Sequence, residues 1–313
     1  MKINILYSYH KIFYEWAYVT CYSLRKLGIE SDIFCIVDGE YSDISESMNV
    51  YPEADFYIVI NPSNIPISKI PNNVGKIVWF TEQVDLDSKD KHILEKINHV
   101  INYYDFFDLH IGFNRMFSQE CSKLGYEMED TFCYGYEEIL IAQYPPCPMS
   151  EKNIDIYFEG SNINDRRNEI IKNIPVTVTR LGDFMEKYKE NMAKSKIALN
   201  IHAYDSNKSF EFPRIMSAIY GKAMVISEYM ADCSPFTKDV HLVMGNRDEI
   251  PSICEYYISN PKEIATIANN AFDFISTQYR MDSILTEFIK KYIKNDFSPQ
   301  FIVPENPKVR FLK

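Results

Sequence analysis

The sequence is short of the features that mark specialised classes of protein. It has 10 glycines and 15 prolines among 313 residues, which is too few for a fibrous or largely disordered chain. No apolar run approaches the ~18 residues that a membrane-spanning helix needs, and the first residues enter a strand pattern with no signal-peptide core. We therefore expect a cytoplasmic globular protein of about two domains.

Basic residues and paired cysteines are also scarce. The chain has 33 lysines and arginines against 44 aspartates and glutamates, a formal net charge of -11, which argues against wide contact with nucleic-acid phosphates. Its seven cysteines include no CxxC pair and no cluster with histidine at metal-ligand spacing. We expect them to be reduced core residues.

Several nucleotide and catalytic motifs are missing as well. There is no GxxxxGK[ST] loop, no GxGxxG after the first strand pattern, no HExxH and no GxSxG. These absences remove the main sequence support for a kinase, a dinucleotide-binding enzyme or a hydrolase.

The first 140 residues do contain short apolar runs that alternate with helical spacing, which is typical of a parallel sheet with crossover helices. The predicted strands are 2–9, 31–37, 56–60, 76–80, 108–113 and 131–134, and the predicted helices are 13–27, 89–98 and 114–124. We expect a first doubly wound α/β domain over residues 1–146.

A proline-rich stretch at 144–152 interrupts this pattern and predicts a linker. A second α/β series follows, with strands predicted at 154–158, 176–179, 196–202, 223–227 and 241–244, and with helices from 164, at 212–220, from 260 and at 282–294. We expect a second domain over 147–281, then a segment, 282–313, that ends in an irregular tail. Open α/β sheets bind ligands at the carboxyl ends of their strands, so we expect an interdomain site.

Four segments of the second half resemble the C-terminal domain of GT-B glycosyltransferases, most of all their CgeB-like, spore-maturation-type branch. They are DIYFEGSNINDRR at 155–167, SKIALNIH at 195–202, PRIMSAIYGKAMVISE at 213–228 and NPKEIATIA at 260–268. Fainter similarity lies in KIVWFTE at 76–82 and YGYE at 134–137. The resemblance covers roughly residues 75–285 and is more specific from 151 onward.

The resemblance implies the GT-B architecture, two Rossmann-like α/β domains facing across a cleft, with the last helix returning to the N-terminal domain. It also implies a glycosyltransferase that moves a sugar from a nucleoside-diphosphate donor, such as a UDP-sugar, to an acceptor. The acceptor is left open between a glycan, a protein and a modified phage DNA base. The nucleotide sugar is a co-substrate, and no further cofactor is implied.

The diphosphate of such a donor needs positive charge and backbone amides. Gly160 is expected to allow close backbone approach, with Ser161 beside it, while Arg166, Arg167 and Arg214 neutralise phosphate charge. Adjacent arginines on one helix cannot both face one ligand, so at least one of Arg166 and Arg167 is expected to be a solvated surface charge.

His202 ends a predicted strand at its carboxyl end, where side chains turn toward the crevice. Two interpretations stay open: it contacts the substrate as part of the catalytic site, or it is a buried histidine bonded to a backbone carbonyl. The loop after it, with Tyr204 and Lys208, either contacts the donor or forms a polar turn.

The chain departs from the family at one position, because Ser217 stands where the family has a glutamate that binds the nucleotide ribose. Glu211 and Glu228 remain as candidate donor-binding carboxylates. The departure keeps open a non-catalytic nucleotide-sugar-binding protein, and the shared architecture keeps open a nucleoside-diphosphate-sugar epimerase.

A base for the acceptor hydroxyl is expected in the N-terminal half, where His10, Asp38 and Glu82 follow predicted strands. Glu82 ranks first because its segment is the most family-like, and the alternative is a surface acid. Asp85 and Asp87 form a D-x-D, which binds a divalent metal in the other main glycosyltransferase fold. They precede a predicted helix, so capping and dipole complementarity explain them, and we expect no obligatory metal.

Overall fold

The computed structural model describes residues 1–8, 11–37, 51–88, 91–160, 164–180, 187–205 and 208–312. The chain divides into two units, each with its own parallel sheet. Unit 1 comprises Met1–Glu137 and Arg280–Lys313, and unit 2 comprises Glu138–Tyr279. Unit 2 is therefore inserted between two parts of unit 1.

Unit 1 is built round a parallel sheet whose strands carry apolar side chains on both faces, as expected for strands covered on both sides. Before the chain passes into unit 2, the elements of unit 1 are β1 (Ile3–Ser8), α1 (Lys11–Lys26), β2 (Ile33–Ile36), β3 (Phe56–Ile60), β4 (Gly75–Phe80), α2 (Lys91–Tyr103), β5 (Leu109–Gly112), α3 (Arg115–Ser122) and β6 (Asp130–Thr131). The strand predicted at 131–134 is thus shorter and begins one residue earlier.

Unit 2 has the strand order β11-β10-β9-β7-β8, with every neighbouring pair parallel. Its elements are β7 (Ile154–Phe158), α4 (Asp165–Lys172), β8 (Val178–Arg180), α5 (Tyr188–Lys194), β9 (Ser195–Asn200), α6 (Phe212–Tyr220), β10 (Met224–Glu228), β11 (Val243–Gly245), α7 (Ile250–Ile258) and α8 (Pro261–Gln278). Helix α6 has the predicted bounds, whereas α5 and α7 were not predicted. Buried side chains of the strands and of α4, α7 and α8 form the core of this unit.

The proline-rich stretch, predicted as a linker, lies inside unit 2. Tyr144 is fully buried there, its hydroxyl donates to Ser217 Oγ at 2.9 Å, and its ring stacks on Tyr220 with centroids 5.7 Å apart. The chain crosses between the units earlier, at Glu137. An aromatic side chain within the stretch anchors it to the body of unit 2.

A buried lysine ties two helix ends together in unit 2. Lys152 is 4% exposed, and its ammonium donates to the carbonyls of Ala193 at 2.5 Å and Gly221 at 2.8 Å, near the ends of α5 and α6. Burial lowers the pKa of Lys152 to about 8. The charged lysine therefore carries a desolvation cost that its two carbonyl partners offset only in part.

After unit 2 the chain returns to unit 1 as α9 (Met281–Tyr292), which packs against α1, and β12 (Val309–Leu312). The prediction of an irregular tail is wrong, because β12 pairs in parallel with β2 and completes the order β12-β2-β1-β3-β4-β5-β6. Pro304 and Pro307 precede this edge strand rather than interrupt it.

The two crossing points are held side by side within unit 1. Tyr136 and Arg280 form a parallel bridge, and Lys26 lies 3.3 Å from the carboxylate of Glu137 and 2.7 Å from that of Asp282. Burial raises the pKa of Glu137. Burial also opposes ionisation of Asp282, but Arg280 and Lys26 outweigh it and hold that pKa at about 2.

Candidate functional site

The carboxyl ends of neighbouring parallel strands in unit 2 bring polar side chains to one edge of the sheet. Strands β7, β8, β9 and β10 end at Phe158, Arg180, Asn200 and Glu228, and Phe158 pairs in register with Arg180. Because parallel strands all point the same way, residues at and just after these ends share that edge. Gly160 after β7, His202 after β9 and Glu228 at the end of β10 fall here.

Three guanidinium groups from three different elements surround one aromatic ring at this edge. The central carbons of Arg167 on α4, Arg180 on β8 and Arg214 on α6 lie 5.6, 5.4 and 5.8 Å from the centroid of Phe158. The ring face attracts cations, which offsets part of their mutual repulsion. We call Arg167, Arg180 and Arg214 the arginine cluster.

The arginine cluster carries more positive charge than its carboxylate partners balance. Arg214 donates to Asn200 Oδ1 at 2.6 Å and pairs with Glu211. Burial opposes ionisation of Glu211, but Arg214 and His202 outweigh it and hold the pKa of Glu211 at about 2. Glu159, also close to Arg214, is 4% exposed and has its pKa raised by burial. Glu211 thus forms a salt bridge with Arg214, and the three guanidiniums outnumber these two carboxylates.

The other two arginines of the cluster donate hydrogen bonds to neutral oxygens, while the charges of Glu211 and Glu228 act on Arg167 from nearby. Arg167 is buried, and its Nε donates to the carbonyl of Ile201 at 2.9 Å. Burial, and then the charge of Arg214, lower the pKa of Arg167 to about 10. Arg180 donates through Nη1 to Asn168 Oδ1 at 2.7 Å, while its buried Nε and Nη2 find no partner among the residues described. This environment favours an anionic ligand.

Gly160 lies directly against this cluster. A Cβ at that position would fall 2.6 Å from Cζ of Phe158 and 3.3 Å from Nη1 of Arg167. Any side chain would therefore displace the ring that the guanidiniums surround. Ser161 lies outside the described residues.

Arg166 has a different environment from its neighbour Arg167. Its Nη1 and Nη2 donate to the two carboxylate oxygens of Glu228 at 2.8 and 2.6 Å, and its Nε pairs with Asp205. Burial opposes the charge, but these two acids outweigh it and raise the pKa of Arg166. The expectation that Arg166 or Arg167 is a solvated surface charge is wrong, because the Arg166 side chain is 14% exposed and Arg167 is buried.

Glu228 and His202 are joined to this ion pair. Glu228 is 4% exposed and accepts the backbone N–H of His202 at 2.8 Å. The His202 ring is buried, with Nδ1 3.3 Å from Glu211 Oε1 and Nε2 3.2 Å from the carbonyl of Tyr229. Both ring nitrogens therefore face acceptors, as in the interpretation of His202 as a buried, carbonyl-bonded histidine.

The remaining predicted residues of unit 2 divide by exposure. Tyr204 and Lys208 are exposed in the loop after β9. Ser217 is 2% exposed, and its Oγ donates to the carbonyl of Pro213 at 2.8 Å while accepting from Tyr144. The Ser217 hydroxyl is thus engaged within unit 2.

In unit 1, Glu82 lies just after β4. Its carboxylate is 3.1 Å from Lys96 Nζ and accepts from Asn61 Nδ2 at 3.0 Å. Burial opposes ionisation, but Lys96 outweighs it and lowers the pKa of Glu82, so the group is ionised and a weaker base than a free glutamate. The other base candidates, His10 and Asp38, lie outside the described residues.

The D-x-D of unit 1 forms a turn, in which Asp85 Oδ1 accepts the backbone N–H of Asp87 at 3.0 Å. Among the residues described, no group of three or more His, Cys, Asp or Glu side chains is placed to hold a metal ion.

No helix in the described ranges has both the length and the apolar character needed to cross a membrane.

Sequence reasoning missed Arg180 and its place in the cluster. The strand predicted at 176–179 ends one residue before it, whereas β8 includes it. The rule that selected His202, a polar residue at the carboxyl end of a strand, would also have selected Arg180. The missing signal was the position of the strand end.

No protein-family model matches the sequence. An uncharacterised protein, R358, of Acanthamoeba polyphaga mimivirus is 28% identical over 139 residues, which are 42% of this chain and 49% of that protein. The match thus spans about half the length of this curated relative.

Solved structures similar to this chain include complexes with a nucleotide sugar. HepE of Anabaena in complex with UDP-glucose has a TM-score of 0.64 at 14% identity, over 93% of this chain and 99% of that one. T4 phage BGT in complex with its UDP-glucose substrate has a TM-score of 0.56 at 13% identity, over the same shares.

A UDP-N-acetylglucosamine 2-epimerase has a TM-score of 0.51 at 12% identity, over 96% and 99% of the two chains. At such identities the likenesses are evidence of fold. This chain has the α/β architecture of the GT-B glycosyltransferases, with two parallel-sheet units.

Proposed function

We propose that this protein is a glycosyltransferase whose donor is a nucleoside-diphosphate sugar, with a UDP-sugar as the leading candidate. The observation that carries the proposal is the arginine cluster round Phe158 at the carboxyl edge of the unit 2 sheet. Its excess positive charge suits a diphosphate, which is also the leaving group of sugar transfer.

The chemistry of transfer explains why such a cluster would be useful. As the bond from the anomeric carbon to the diphosphate breaks, negative charge builds up on the departing phosphate. Guanidiniums already fixed in a partly buried site stabilise that charge without having to reorganise. The N-terminus of α6, which holds Arg214 in its first turn and has no side-chain cap, adds backbone N–H groups at the same edge.

We assign the donor-binding residues as follows. Arg167, Arg180 and Arg214 contact the diphosphate, and Gly160 leaves room for the ring on which they lie. Ser161, the next residue in the sequence, is assigned to the same set.

A second set of residues supports or extends this site. Arg166, Glu211 and Glu228 hold the end of β9 and the His202 ring in place through the ion pairs described above. Tyr204 and Lys208, exposed in the next loop, are assigned to the nucleotide or sugar of the donor.

Comparison supports the donor class and leaves the acceptor open. HepE and T4 phage BGT were both solved with UDP-glucose and share this fold. Membership of the CgeB-like branch is part of the proposal and rests on the four segments of the second half. The acceptor is a hydroxyl-bearing glycan, protein or modified DNA base.

We further propose that transfer needs no metal and takes place in a reducing, cytoplasmic compartment. The arginine cluster supplies the positive charge that a divalent ion provides in other transferases. All seven cysteines carry thiols rather than disulfides, and five of them are buried, which suits a compartment that keeps thiols reduced.

An epimerase acting on the same donors is the second candidate, and the likeness to a UDP-N-acetylglucosamine 2-epimerase favours it. The two candidates differ in what they do to the donor without an acceptor. An epimerase converts the donor to its isomer, whereas a transferase leaves it intact or hydrolyses it slowly.

The test begins with thermal melting against the diphosphates of uridine, guanosine, adenosine, cytidine and thymidine and against their sugars. A ligand at 100 times its Kd should stabilise the native protein by about 2.7 kcal/mol, and we expect UDP and a UDP-sugar to do so. The stabilising donor is then incubated with and without an acceptor panel, and nucleoside diphosphate and sugar products are measured.

Release of nucleoside diphosphate that depends on an acceptor supports the transferase, and isomerisation without an acceptor supports the epimerase. Tight binding with neither product would indicate a non-catalytic binding protein. Failure of every nucleoside diphosphate to bind would overturn the proposal.

A further inference from the structure

A hydrogen-bonded chain of side chains in unit 1 lies at the carboxyl ends of β3 and β4. It runs from Glu82 through Asn61 and Ser63 to His99 on α2. Asn61 directly follows β3, is 5% exposed and has φ of 48°, a left-handed conformation that asparagine tolerates better than most residues. Backbone held in this region is frequent at functional sites.

The direction of each hydrogen bond in this chain follows from what each group can do. An ionised carboxylate only accepts, so the Asn61 amide must present Nδ2 to Glu82, at 3.0 Å. Its Oδ1 then faces Ser63 and accepts both the backbone N–H at 3.2 Å and the hydroxyl at 2.8 Å. The single hydroxyl proton of Ser63 is thereby used.

The last bond of the chain fixes the tautomer of His99. Ser63 Oγ lies 2.7 Å from His99 Nδ1, and with its proton given to Asn61 it can only accept there. Neutral His99 therefore carries its proton on Nδ1 and a lone pair on Nε2. Within the described ranges Nε2 has no hydrogen-bond partner, and the residue is half-buried.

The charges that face His99 come from two elements. Lys96 lies on the same side of α2, one turn earlier, and pairs with Glu82 after β4 at 3.1 Å. The ring of Tyr103, one turn later on α2, stacks against His99 with centroids 6.5 Å apart. These contacts orient the imidazole and leave Nε2 as the unprotonated nitrogen that can accept a proton.

We propose that His99 Nε2 takes the proton of the acceptor hydroxyl, and that Glu82, Asn61 and Ser63 are positioning residues that set its tautomer. This inference rests on the proposed glycosyltransferase function. In the step, the hydroxyl proton moves to Nε2, the acceptor oxygen bonds to the anomeric carbon, and the bond from that carbon to the diphosphate breaks. The bonding electrons leave with the nucleoside diphosphate, so no oxidant or further reactant is needed.

The first experiment compares kcat, donor affinity and pH–rate profile in the full-length protein, with the acceptor that the panel identifies. Removing a general base costs roughly 10²- to 10⁴-fold in rate. His99→Gln should lower kcat by at least about 100-fold, leave the Kd for UDP unchanged, and abolish the acid limb of the pH–rate profile. Ser63→Ala should lower kcat by about tenfold and keep that limb. Asn98→Ala, an exposed neighbour on α2, is the control and should match the wild type.

The second experiment reads the tautomer directly, without turnover. Proton–nitrogen NMR of ¹⁵N-histidine protein at alkaline pH should show His99 with its proton on Nδ1, and this preference should weaken in Ser63→Ala. A wild-type kcat and acid limb in His99→Gln, or a His99 protonated on Nε2, would overturn the inference while the proposed function stands. A wild type that binds UDP-sugars and never transfers would overturn both.

Discussion

Replacing Arg180 by methionine should move stability and donor binding in opposite directions. Arg180 holds two buried guanidinium nitrogens without partners in the described part of the chain, and burial lowers its pKa. Both observations describe a group that costs the folded protein free energy and that a diphosphate would satisfy. Methionine keeps the length and flexibility of the side chain and removes the charge.

The size of both effects follows from the contacts. A buried polar group left unsatisfied costs about 1–3 kcal/mol, while the bond to Asn168 that the substitution removes contributes about 1 kcal/mol. A net gain of up to about 2 kcal/mol should raise the Tm of the ligand-free protein by up to roughly 8 °C. Loss of a charge-assisted hydrogen bond, about 1.5–3 kcal/mol, should weaken UDP binding by about 10- to 150-fold.

Calorimetric titration with UDP and with uridine, beside thermal melting, separates the two effects. Uridine has no phosphate, so Arg180→Met should leave its affinity unchanged. Lys172→Met removes an exposed positive charge from the same unit and is the control for net charge. If Arg180→Met binds UDP as the wild type does, or if stability and affinity fall together, Arg180 is a structural residue and the reasoning fails.

Three further substitutions test other parts of unit 2. Lys152 has a folded pKa of about 8, below its unfolded value of 10.5, so between about pH 8 and 10 the unfolded protein binds more protons than the folded one. Denaturant titrations over this range should show the free energy of unfolding of the wild type rising relative to that of Lys152→Met, by up to about 1.4 kcal/mol per pH unit. Equal slopes in the two proteins would contradict this. Glu228→Ala removes the bidentate partner of the largely buried Arg166, which keeps its pair with Asp205, and should cost about 3 kcal/mol in the same titrations. Gly160→Ala forces a methyl group against Phe158 and should cost about 1–3 kcal/mol and weaken UDP binding; unchanged values would show that the ring moves freely.

The parts of the fold that could be predicted from sequence are those with strong local patterns. Helix α6 has proline in its first turn and an apolar face, and β3 and β7 are apolar runs of full strand length, so local spacing sufficed. Strand β12 is four residues long and lies after two prolines. It is a strand because it pairs with β2, which is distant in sequence. The spacing of apolar residues within 309–312 carries no information about that partner.

The types of residue in the candidate site could be predicted from the sequence, but the role of each residue could be predicted less well. The sequence placed Arg166, Arg167 and Arg214 near a common edge, and the structure brings them there. It could not show that Arg166 is neutralised by Glu228, because that pair joins residues from two different elements through folding. His99 was missed for a similar reason: its significance lies in its contact with Ser63 and, through it, Asn61, which lie in the loop after β3.

The insertion of unit 2 into unit 1 sets an order for folding during synthesis. Unit 2 is one continuous stretch, 138–279, so all its strands are synthesised before α9. Unit 1 must wait for α9 and β12, and until then the outer edge of β2 is an open strand edge that invites misplaced pairing. A nascent chain stalled before β12 should therefore contain a finished second unit beside an incomplete first one, whose closing strand arrives last.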